Sequence, residues 1–297
     1  MVNHKPTEMT AGAALVAVSA LGFATNPIFG KLAYQAGANA ITLGAIRFTL
    51  ATVALWLYLL WRRQTGGLPA LKRVQLVALG GMGMAMVALL YFTALEFIDA
   101  SLATGIFYLH PAMIALVGML QGERLGRLGL AGLLLTGAGT WLLLGSGSTG
   151  FSGQGLLMIL GAAALYSAYI IVGDRWSQGV PPVTTSAYVT LGAATVYLAI
   201  SLLTGQQAPS LPAIAAGAGL ALCSTILALI TLFAGLVKVG PTRAAIISTL
   251  EPVFTAMLAA VILAERLTPL QMTGIIVVVV GAVAVQLRER PSAVAEM

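Results

Sequence analysis

Charged residues are scarce in this sequence. Lysine, arginine, aspartate and glutamate make up only 8% of the 297 residues, whereas hydrophobic residues make up 59%. In an ordinary soluble domain, roughly a quarter of the residues are charged. Nine acids and fifteen bases cannot cover the surface of a soluble fold of this length. The composition therefore indicates a protein whose exterior faces lipid.

Residues that form disulfides or bind soft metals are also nearly absent. The chain holds one cysteine, Cys223, and two histidines, His4 and His110. These numbers exclude a disulfide framework and a Cys/His zinc site, and we expect no cofactor. The sequence contains no P-loop, so ATP is not expected to drive this chain. The net charge of +6 is scattered over short connections, which argues against nucleic acid as a partner.

Ten long apolar runs are separated by short polar breaks. A helix needs about 20 residues to cross the hydrocarbon core, and the strict alternation of barrel strands is missing. The first run exceeds the core of a cleavable signal, so we expect a permanent helix there. We predict an all-α membrane protein with ten transmembrane helices, at residues 11–33, 39–61, 74–96, 101–120, 128–145, 153–174, 183–204, 212–237, 241–263 and 270–287.

Lysines and arginines fall mostly on one side of this predicted bundle. With a cytoplasmic amino terminus, twelve lie on the cytoplasmic side and only Lys31 and Arg266 on the other. The bias predicts cytoplasmic amino and carboxyl termini in a multi-pass plasma membrane protein, of the bacterial inner-membrane kind. Arg47 lies inside the second run, and we expect it to reach the outer surface or to pair with Glu96 or Asp99.

The sequence repeats itself at an interval of 141 to 142 residues. His110-Pro111 and Gly122-Glu123-Arg124-Leu125 recur as Glu251-Pro252 and Ala264-Glu265-Arg266-Leu267. Because each half holds five helices, an odd number, the second half enters the membrane from the opposite side. The prediction is two inverted five-helix repeats around a central cavity, with an N-terminal tail 1–10, repeats 11–145 and 153–287, a connector 146–152 and a C-terminal tail 288–297.

The end of the second half carries a specific motif. Leu250-Glu251-Pro252-Val253-Phe254 continues through Leu263 to Gln271 and on to Gly274 and Gly281. This stretch resembles the closing signature of EamA domains, in the ten-helix type of the drug/metabolite transporter superfamily. Gly22 to Pro27 resembles the Trp-Gly-Ser-Asn pattern of that family without its tryptophan. The resemblance covers nearly the whole chain and implies an exporter, similar in character to the YddG-type amino acid exporters, with a cavity lined by helices 1, 3, 4, 6, 8 and 9.

Two ionisable residues, His110 and Glu251, are predicted to lie at membrane depth. Placing a charged side chain there costs a few kcal/mol, so the presence of each calls for an explanation. Each precedes a proline that frees a carbonyl one turn earlier and kinks its helix. Glu251 is suited to a substrate ammonium or a coupling proton, and His110 to a carboxylate or to titration during transport. The alternative is that Glu251 closes a helix gate or bonds to backbone without touching substrate.

Other polar and aromatic residues at membrane depth complete the predicted site. Asn26-Pro27 predicts a hinge or an interruption in the first helix, which membranes tolerate beside a cavity. Four tyrosines lie away from the interfacial belts, either for amphipathic cargo or for ordinary packing. The predicted substrate-binding residues are Asn26, Tyr91, Tyr108, His110, Tyr166, Tyr169, Ser224, Thr225, Ser248 and Glu251, and the predicted hinges are Pro27, Pro111 and Pro252.

These features together favour a secondary transporter. We expect export of small metabolites, first of all aromatic or apolar amino acids, by alternating access, with proton coupling as an open choice. Export of nucleosides, amines or drugs, and a channel-like facilitator, are the alternatives. An intramembrane enzyme is disfavoured because the groups at membrane depth are too few and of the wrong kinds, and we expect no metal. The expected partners are a small-molecule substrate and the bilayer, and the oligomeric state stays open.

Overall fold

The structure, a computed structural model, describes residues 6–63, 67–122, 126–145 and 152–287. All regular elements in these ranges are helices, and ten helical segments are long and apolar enough to cross a membrane. They are numbered here as spans 1 to 10: Glu8–Gln35, Ala40–Trp61, Ala70–Ala94, Ala100–Leu120, Arg127–Leu144, Gly153–Trp176, Pro182–Leu203, Leu211–Val239, Arg243–Ile262 and Pro269–Gln286. The prediction of an all-α protein with ten spanning helices is confirmed.

Local sequence explains where several spans begin. The Asn39 side chain caps span 2 by accepting from the backbone N–H of Thr42 at 2.9 Å. Thr268 and Gln271 form a reciprocal capping box before span 10. Pro182 and Pro269 are the first residues of their helices, where a missing backbone N–H leaves no bond unmade. Caps and prolines thus fix helix starts within short connections.

Span 1 is one continuous helix, Pro6–Gln35, that passes through Pro27 without interruption. The interrupted helix predicted at Asn26-Pro27 is therefore not observed. Span 1 packs against spans 8 and 9 of the other half, which hold it in shape. The Thr255 hydroxyl reaches the Ala24 carbonyl at 3.4 Å, one turn before the proline. A hinge at Pro27 stays a prediction.

Spans 4 and 9 are each broken at the same relative place. Span 4 consists of helices Ala100–Phe107 and His110–Leu120, and the helices of span 9 are Pro241–Ser248 and Glu251–Ile262. In both, the second helix has proline in its first turn, which cannot donate to the carbonyl four residues back. The kinks predicted at Pro111 and Pro252 therefore take the form of breaks between two helices.

Spans 3 and 8 share another irregularity, a wide π-helical segment in their middle. Span 3 runs as Ala70–Ala78, the π segment Leu79–Met84 and Ala85–Ala94. Span 8 runs as Leu211–Gly219, the π segment Leu220–Leu227 and Ala228–Val239. Segments of this kind are rare and often lie at functional sites. Their presence in two corresponding spans shows that the halves share this detail of the backbone.

The packing of the spans follows a two-fold pattern. Span 1 packs against spans 8 and 9, and span 6 packs in the same way against spans 3 and 4. Spans 2 and 7 pair with each other, as do spans 5 and 10. Exchanging the two halves maps each of these contacts onto another. The extensive helix contacts of the bundle therefore run between the halves.

The bundle has two ends, defined by contacts between span termini. Span 1 begins and span 10 ends at the tail end, where Lys72 Nζ donates to the Trp176 carbonyl at 2.9 Å. At the opposite, distal end, the Tyr34 hydroxyl donates to the Phe92 carbonyl at 2.6 Å. There the Ser210 hydroxyl also donates to the Ala36 carbonyl at 2.8 Å. Consecutive spans thus alternate in direction between the two ends.

Spans 5 and 10 cross at glycines. A Cβ added to Gly139 would lie 2.6 Å from the Val278 nitrogen and 2.8 Å from the Gly274 carbonyl oxygen. A Cβ on Gly132 would lie 2.7 Å from the Gly281 carbonyl oxygen. Such close approach of two backbones is typical of small-residue contacts between membrane helices. This crossing joins the two halves on the side of the bundle next to spans 4 and 9.

Candidate functional site

A cavity of about 700 Å³ lies in the half of the bundle near the tail end. Four spans form its walls, namely spans 4, 6, 9 and 10. Its described lining consists of Tyr108, His110, Pro111, Ile114, Ala115, Tyr166, Ile170, Ala245, Ser248, Thr249, Val285, Gln286 and Leu287. The volume falls in the range of about 300 to 1,000 Å³ that is usual for small-molecule sites.

The lining differs in part from the expected set of helices. Spans 4, 6 and 9 line the cavity as expected, whereas spans 1, 3 and 8 contribute none of its described lining and span 10 does. The reason is packing, because span 1 contacts spans 8 and 9 while spans 3 and 6 pack together. The cavity is bordered at one end by Val285, Gln286 and Leu287, at the end of span 10.

The two helix breaks place freed carbonyls beside the cavity. Pro111 leaves the Phe107 carbonyl without its helical donor, and His110 Nδ1 lies 3.0 Å from that oxygen. A carbonyl only accepts, so Nδ1 carries the hydrogen and Nε2 is left for another partner. Pro252 frees the Ser248 carbonyl in the same way, and the Tyr108 hydroxyl donates to it at 2.9 Å. Each break therefore supplies polar backbone to a cavity-lining side chain.

Aromatic rings form one wall of the cavity. His110 meets Tyr166 edge to face with ring centroids 4.9 Å apart, and Tyr108 at 5.4 Å. Tyr169 stacks behind Tyr166 at 5.8 Å. Phe107 joins this group at 5.1 Å from Tyr166. The wall offers apolar faces, edges and hydroxyl groups to a molecule in the cavity.

Glu251 is not among the described residues that line the cavity, but it contacts one of them. Its Oε2 lies 2.9 Å from the Tyr108 hydroxyl, which shares its one hydrogen between this oxygen and the Ser248 carbonyl. Tyr108 is buried with 6% of its surface exposed, whereas Glu251 is half-buried. Tyr108 therefore connects the acid of span 9 to the cavity through one hydroxyl group.

The structure brings together only some of the predicted site residues. Tyr108, His110, Tyr166 and Ser248, with the predicted hinge Pro111, line the cavity. The predicted residues outside the lining are Asn26, Tyr91, Tyr169, Ser224, Thr225 and Glu251, together with Pro27 and Pro252. Several of them make contacts within or between helices: Ser224 Oγ donates to the Leu220 carbonyl at 3.0 Å and lies 3.4 Å from Asn26 Oδ1, and Tyr91 shares a hydrogen bond with Thr104 at 2.9 Å.

Arg47 occupies a position that neither expectation foresaw. It is buried, with 9% of its surface exposed, so it does not reach the outer surface. Its Nε donates to Thr225 Oγ1 at 3.1 Å, and its guanidinium lies 5.1 Å from the Phe48 ring centroid and 5.8 Å from that of Phe92. Among the described residues no carboxylate forms an ion pair with it. The positive charge of the Arg47 guanidinium is therefore stabilised by one hydroxyl group and by two aromatic ring faces.

Gln286 is a cavity residue that the sequence did not single out. It lies at the end of span 10, where the sequence reads as an ordinary membrane boundary. Its Oε1 is buried and has no hydrogen-bond donor in the described part of the chain. Thr249, next to the predicted Ser248, also lines the cavity. A buried acceptor without a partner calls for an explanation, and its place in the cavity makes Gln286 a candidate polar contact.

Comparison with known proteins decides the family. The model of the EamA-like transporter family matches the chain twice, over residues 10–145 and 153–287. The chain belongs to the EamA-like transporter family. The resemblance seen in the sequence is thereby confirmed, and the chain is a multi-pass membrane transporter of the drug/metabolite type.

Relatives of this EamA-like transporter carry general names. An uncharacterized transporter of Archaeoglobus fulgidus is 24% identical over 259 residues, 85% of this chain and 89% of the relative. The uncharacterized transporter YcbK of Bacillus subtilis is 26% identical over 287 residues, 92% of this chain and 91% of the relative. A solved crystal structure matches with a TM-score of 0.66 and 22% identity, over 93% of this chain and 96% of that one, and supports the fold alone.

Proposed function

We propose that this EamA-like transporter exports small metabolites, aromatic or apolar amino acids first among them, by alternating access. The tail end then faces the cytoplasm, as the lysine and arginine bias predicts. The observation that carries the proposal is the cavity near the tail end, which is walled by aromatic rings and freed carbonyls. At the distal end, elements of the two halves bond to each other. A cavity on the tail side of the helix breaks, with spans bonded to each other at the distal end, supports one state of a carrier.

The lining supports a cargo with both apolar and polar parts. Ile114, Ile170 and Leu287 provide apolar area, and the rings of Tyr108 and Tyr166 add flat faces. Polar groups are few and are gathered at the helix breaks and at Gln286. This distribution suits an amino acid whose side chain contacts the apolar wall. Its charged groups then lie at the breaks.

The polar groups also suit the two charges of an amino acid. The Ser248 carbonyl and Gln286 Oε1 are acceptors for an ammonium group, and Glu251 lies one hydroxyl behind them. His110 Nε2 is the group available for a carboxylate, provided that the ring is protonated. Proton binding at His110 or Glu251 would then couple transport to a proton gradient.

Export of amines is the second candidate, and one observation favours it. No lysine or arginine is among the described residues that line the cavity, while acceptors and aromatic faces are present. Aromatic faces and acceptors together bind organic ammonium groups. A cargo without a carboxylate would need no change of charge at His110.

The distal closure supports a carrier over an open channel. A channel needs a continuous polar path in its open state, whereas here the distal ends of spans 1, 3, 4 and 8 bond to neighbouring elements. A carrier requires this closure, because its two sides open in turn.

Counterflow in proteoliposomes tests the proposal. Vesicles loaded with unlabelled cargo should accumulate labelled cargo from outside, with saturation, when tryptophan, phenylalanine or leucine is the cargo. Parallel assays with labelled amines and nucleosides decide the second candidate. Linear flux that does not saturate and shows no exchange would contradict the carrier. Saturable exchange of amines alone would replace amino acids as the cargo class.

A further inference from the structure

Glu265 bonds across the two halves at the distal end. It lies in the connection between spans 9 and 10, and its carboxylate accepts three hydrogen bonds from the start of span 4. Oε1 accepts from the Ala100 backbone N–H at 2.7 Å. Oε2 accepts from the Ser101 backbone N–H at 3.2 Å and from the Ser101 hydroxyl at 2.5 Å. One side chain of the second half thus holds the first turn of a helix of the first half.

The start of span 4 depends on this side chain from the other half. The first N–H groups of a helix have no acceptor within the helix and are usually satisfied by the residue before it. Asp99 occupies that position, but its side chain makes no capping hydrogen bond. Glu265 supplies the acceptor instead, and its negative charge also suits the positive end of the helix dipole. The cap of span 4 therefore exists only while spans 4 and 9 stay together.

The turn that carries Glu265 is tightly held. Ala264 has a positive φ of 56°, which is uncommon for a residue with a side chain. The Glu265 backbone N–H donates to the Ala259 carbonyl at 3.1 Å, and the capping box of Thr268 and Gln271 follows directly. The carboxylate is presented by a fixed turn, so its bonds to span 4 are made or lost as a unit.

The position of this contact relates it to the cavity. The helix Ala100–Phe107 of span 4 packs against Glu251–Ile262 of span 9 on the distal side of the two breaks. The other halves of these spans, beyond the breaks, line the cavity near the tail end. If the distal end opens between spans 4 and 9, Ala100 and Ser101 separate from Glu265. The same movement would bring the cavity walls near the tail end together.

We propose that Glu265 is the latch of the distal end, a positioning residue that sets the balance between the two states of the carrier. This inference rests on the alternating access of the proposed function. The latch stabilises the state described here, in which the cavity lies near the tail end. A residue that only supported the fold would change the stability of the protein without changing which side is accessible.

Accessibility of two introduced cysteines distinguishes these roles. Cys223→Ser provides a background without the natural thiol. Thr104→Cys reports on the distal half, where Thr104 is 1% exposed, and Ala245→Cys reports on the cavity. Each is combined with Glu265→Gln, which keeps the size of the side chain and removes its charge. A membrane-impermeant maleimide is applied from each side, to right-side-out and to inverted membrane vesicles.

Loss of the latch should shift the two reporters in opposite directions. In Glu265→Gln we expect Thr104→Cys to react on the order of tenfold faster from the distal side, as for the loss of one charge-assisted hydrogen bond. Ala245→Cys should react more slowly from the tail side. Ser101→Ala, which removes one of the three donors, should give a smaller shift of the same sign. Asp174→Asn, which neutralises an exposed acid at the tail end of span 6, should change neither reporter.

Unchanged rates at both reporters would overturn the proposal. Faster reaction at both would also overturn it, because that result indicates general loosening of the fold. The readout needs no cargo, so its result is independent of the cargo assay. Counterflow without a reporter shift would reject the latch alone, and a reporter shift without counterflow of any tested cargo would reject the cargo class alone.

Discussion

The Tyr108 hydroxyl donates to the Glu251 carboxylate at 2.9 Å, and these two residues are 143 positions apart in the chain. Tyr108 belongs to the break in span 4 and Glu251 to the break in span 9. The same hydroxyl lies 2.9 Å from the Ser248 carbonyl that Pro252 leaves free. The two breaks are thus tied to each other at the wall of the cavity.

Glu251→Gln should impair transport or change its dependence on pH. The substitution keeps the size of the side chain, but it removes the charge that Tyr108 stabilises and the group that can take up a proton. We expect a loss of initial rate on the order of tenfold, which corresponds to one charge-assisted hydrogen bond. The measurement is the initial rate of counterflow across a pH series.

Tyr108→Phe is the matched control for that substitution. It removes the hydroxyl bond and leaves the carboxylate in place, so the dependence on pH should persist at a reduced rate. Transport by Glu251→Gln that equals the wild type at every pH would assign Glu251 to structure alone.

Tyr166→Ala should change the preference among cargoes. Tyr166 lines the cavity and contacts His110, Phe107 and Tyr169, so its removal leaves space in the aromatic wall. We expect affinity for aromatic cargo to fall about tenfold, since aromatic contacts contribute about 0.5 to 1.5 kcal/mol each. Small aliphatic cargo should lose less. Competition of unlabelled cargoes against one labelled cargo measures this.

Tyr188→Ala provides the comparison, because Tyr188 packs on Trp56 and does not line the cavity. Its competition profile should match the wild type. The same assay compares Tyr91→Ala with Tyr108→Ala. Tyr91 is buried away from the cavity, whereas Tyr108 lines it. Identical profiles for Tyr166→Ala and the wild type would remove Tyr166 from the site.

Gly139→Ala should destabilise the protein, whereas Gly137→Ala should not. A Cβ at position 139 meets backbone atoms of span 10, which cannot rotate away, while a Cβ at position 137 has no atom within 4 Å. Overpacking of this kind costs about 1 to 3 kcal/mol. The thermal unfolding midpoint of each variant is measured by size-exclusion chromatography of samples heated in detergent. Equal midpoints for the two variants would contradict the close crossing of spans 5 and 10.

Asp99→Ala should leave the stability of the protein unchanged or raise it. Loss of an N-terminal cap usually costs about 1 kcal/mol, but the Asp99 side chain makes no capping bond. Burial and the charge of Glu265 raise the pKa of Asp99, and Lys31 lowers it only in part. The ionised form is therefore disfavoured in the folded protein. The stability of the wild type relative to Asp99→Ala should therefore rise as the pH falls from neutral through this raised pKa.

Ser210→Ala is the control for that comparison, because the Ser210 hydroxyl accepts from the Ala213 N–H at 3.3 Å at the start of span 8. It should lower the unfolding midpoint. A drop in midpoint for Asp99→Ala as large as that for Ser210→Ala would contradict the assignment of the cap to Glu265.

Much of the fold follows from local features of the sequence. The ten apolar runs predict the ten spans to within a few residues, because the length of an apolar helix is set by the thickness of the membrane. His110-Pro111 and Glu251-Pro252 predict kinks at the two breaks, since a proline removes one helical hydrogen bond wherever it lies.

Other features depend on contacts that no local pattern encodes. The π-helical segments follow no residue type, as Leu79–Met84 and Leu220–Leu227 share little beyond small and apolar residues. Pro27 predicts an interruption that packing against the other half prevents. Arg47 finds a hydroxyl and two rings rather than an acid. Gln286 became visible as a site residue only through the shape of the cavity.

The pairing of spans across the halves has a consequence for biosynthesis. The partners of spans 1, 2, 3 and 5 are spans 8, 7, 6 and 10, which the ribosome makes later. The first five helices therefore enter the lipid before their partners are made. Until then, glycine-rich surfaces such as that of span 5 have no helix packed against them. A chain that stops after residue 145 lacks every one of these partners, and we expect such a product to be degraded faster than the full chain.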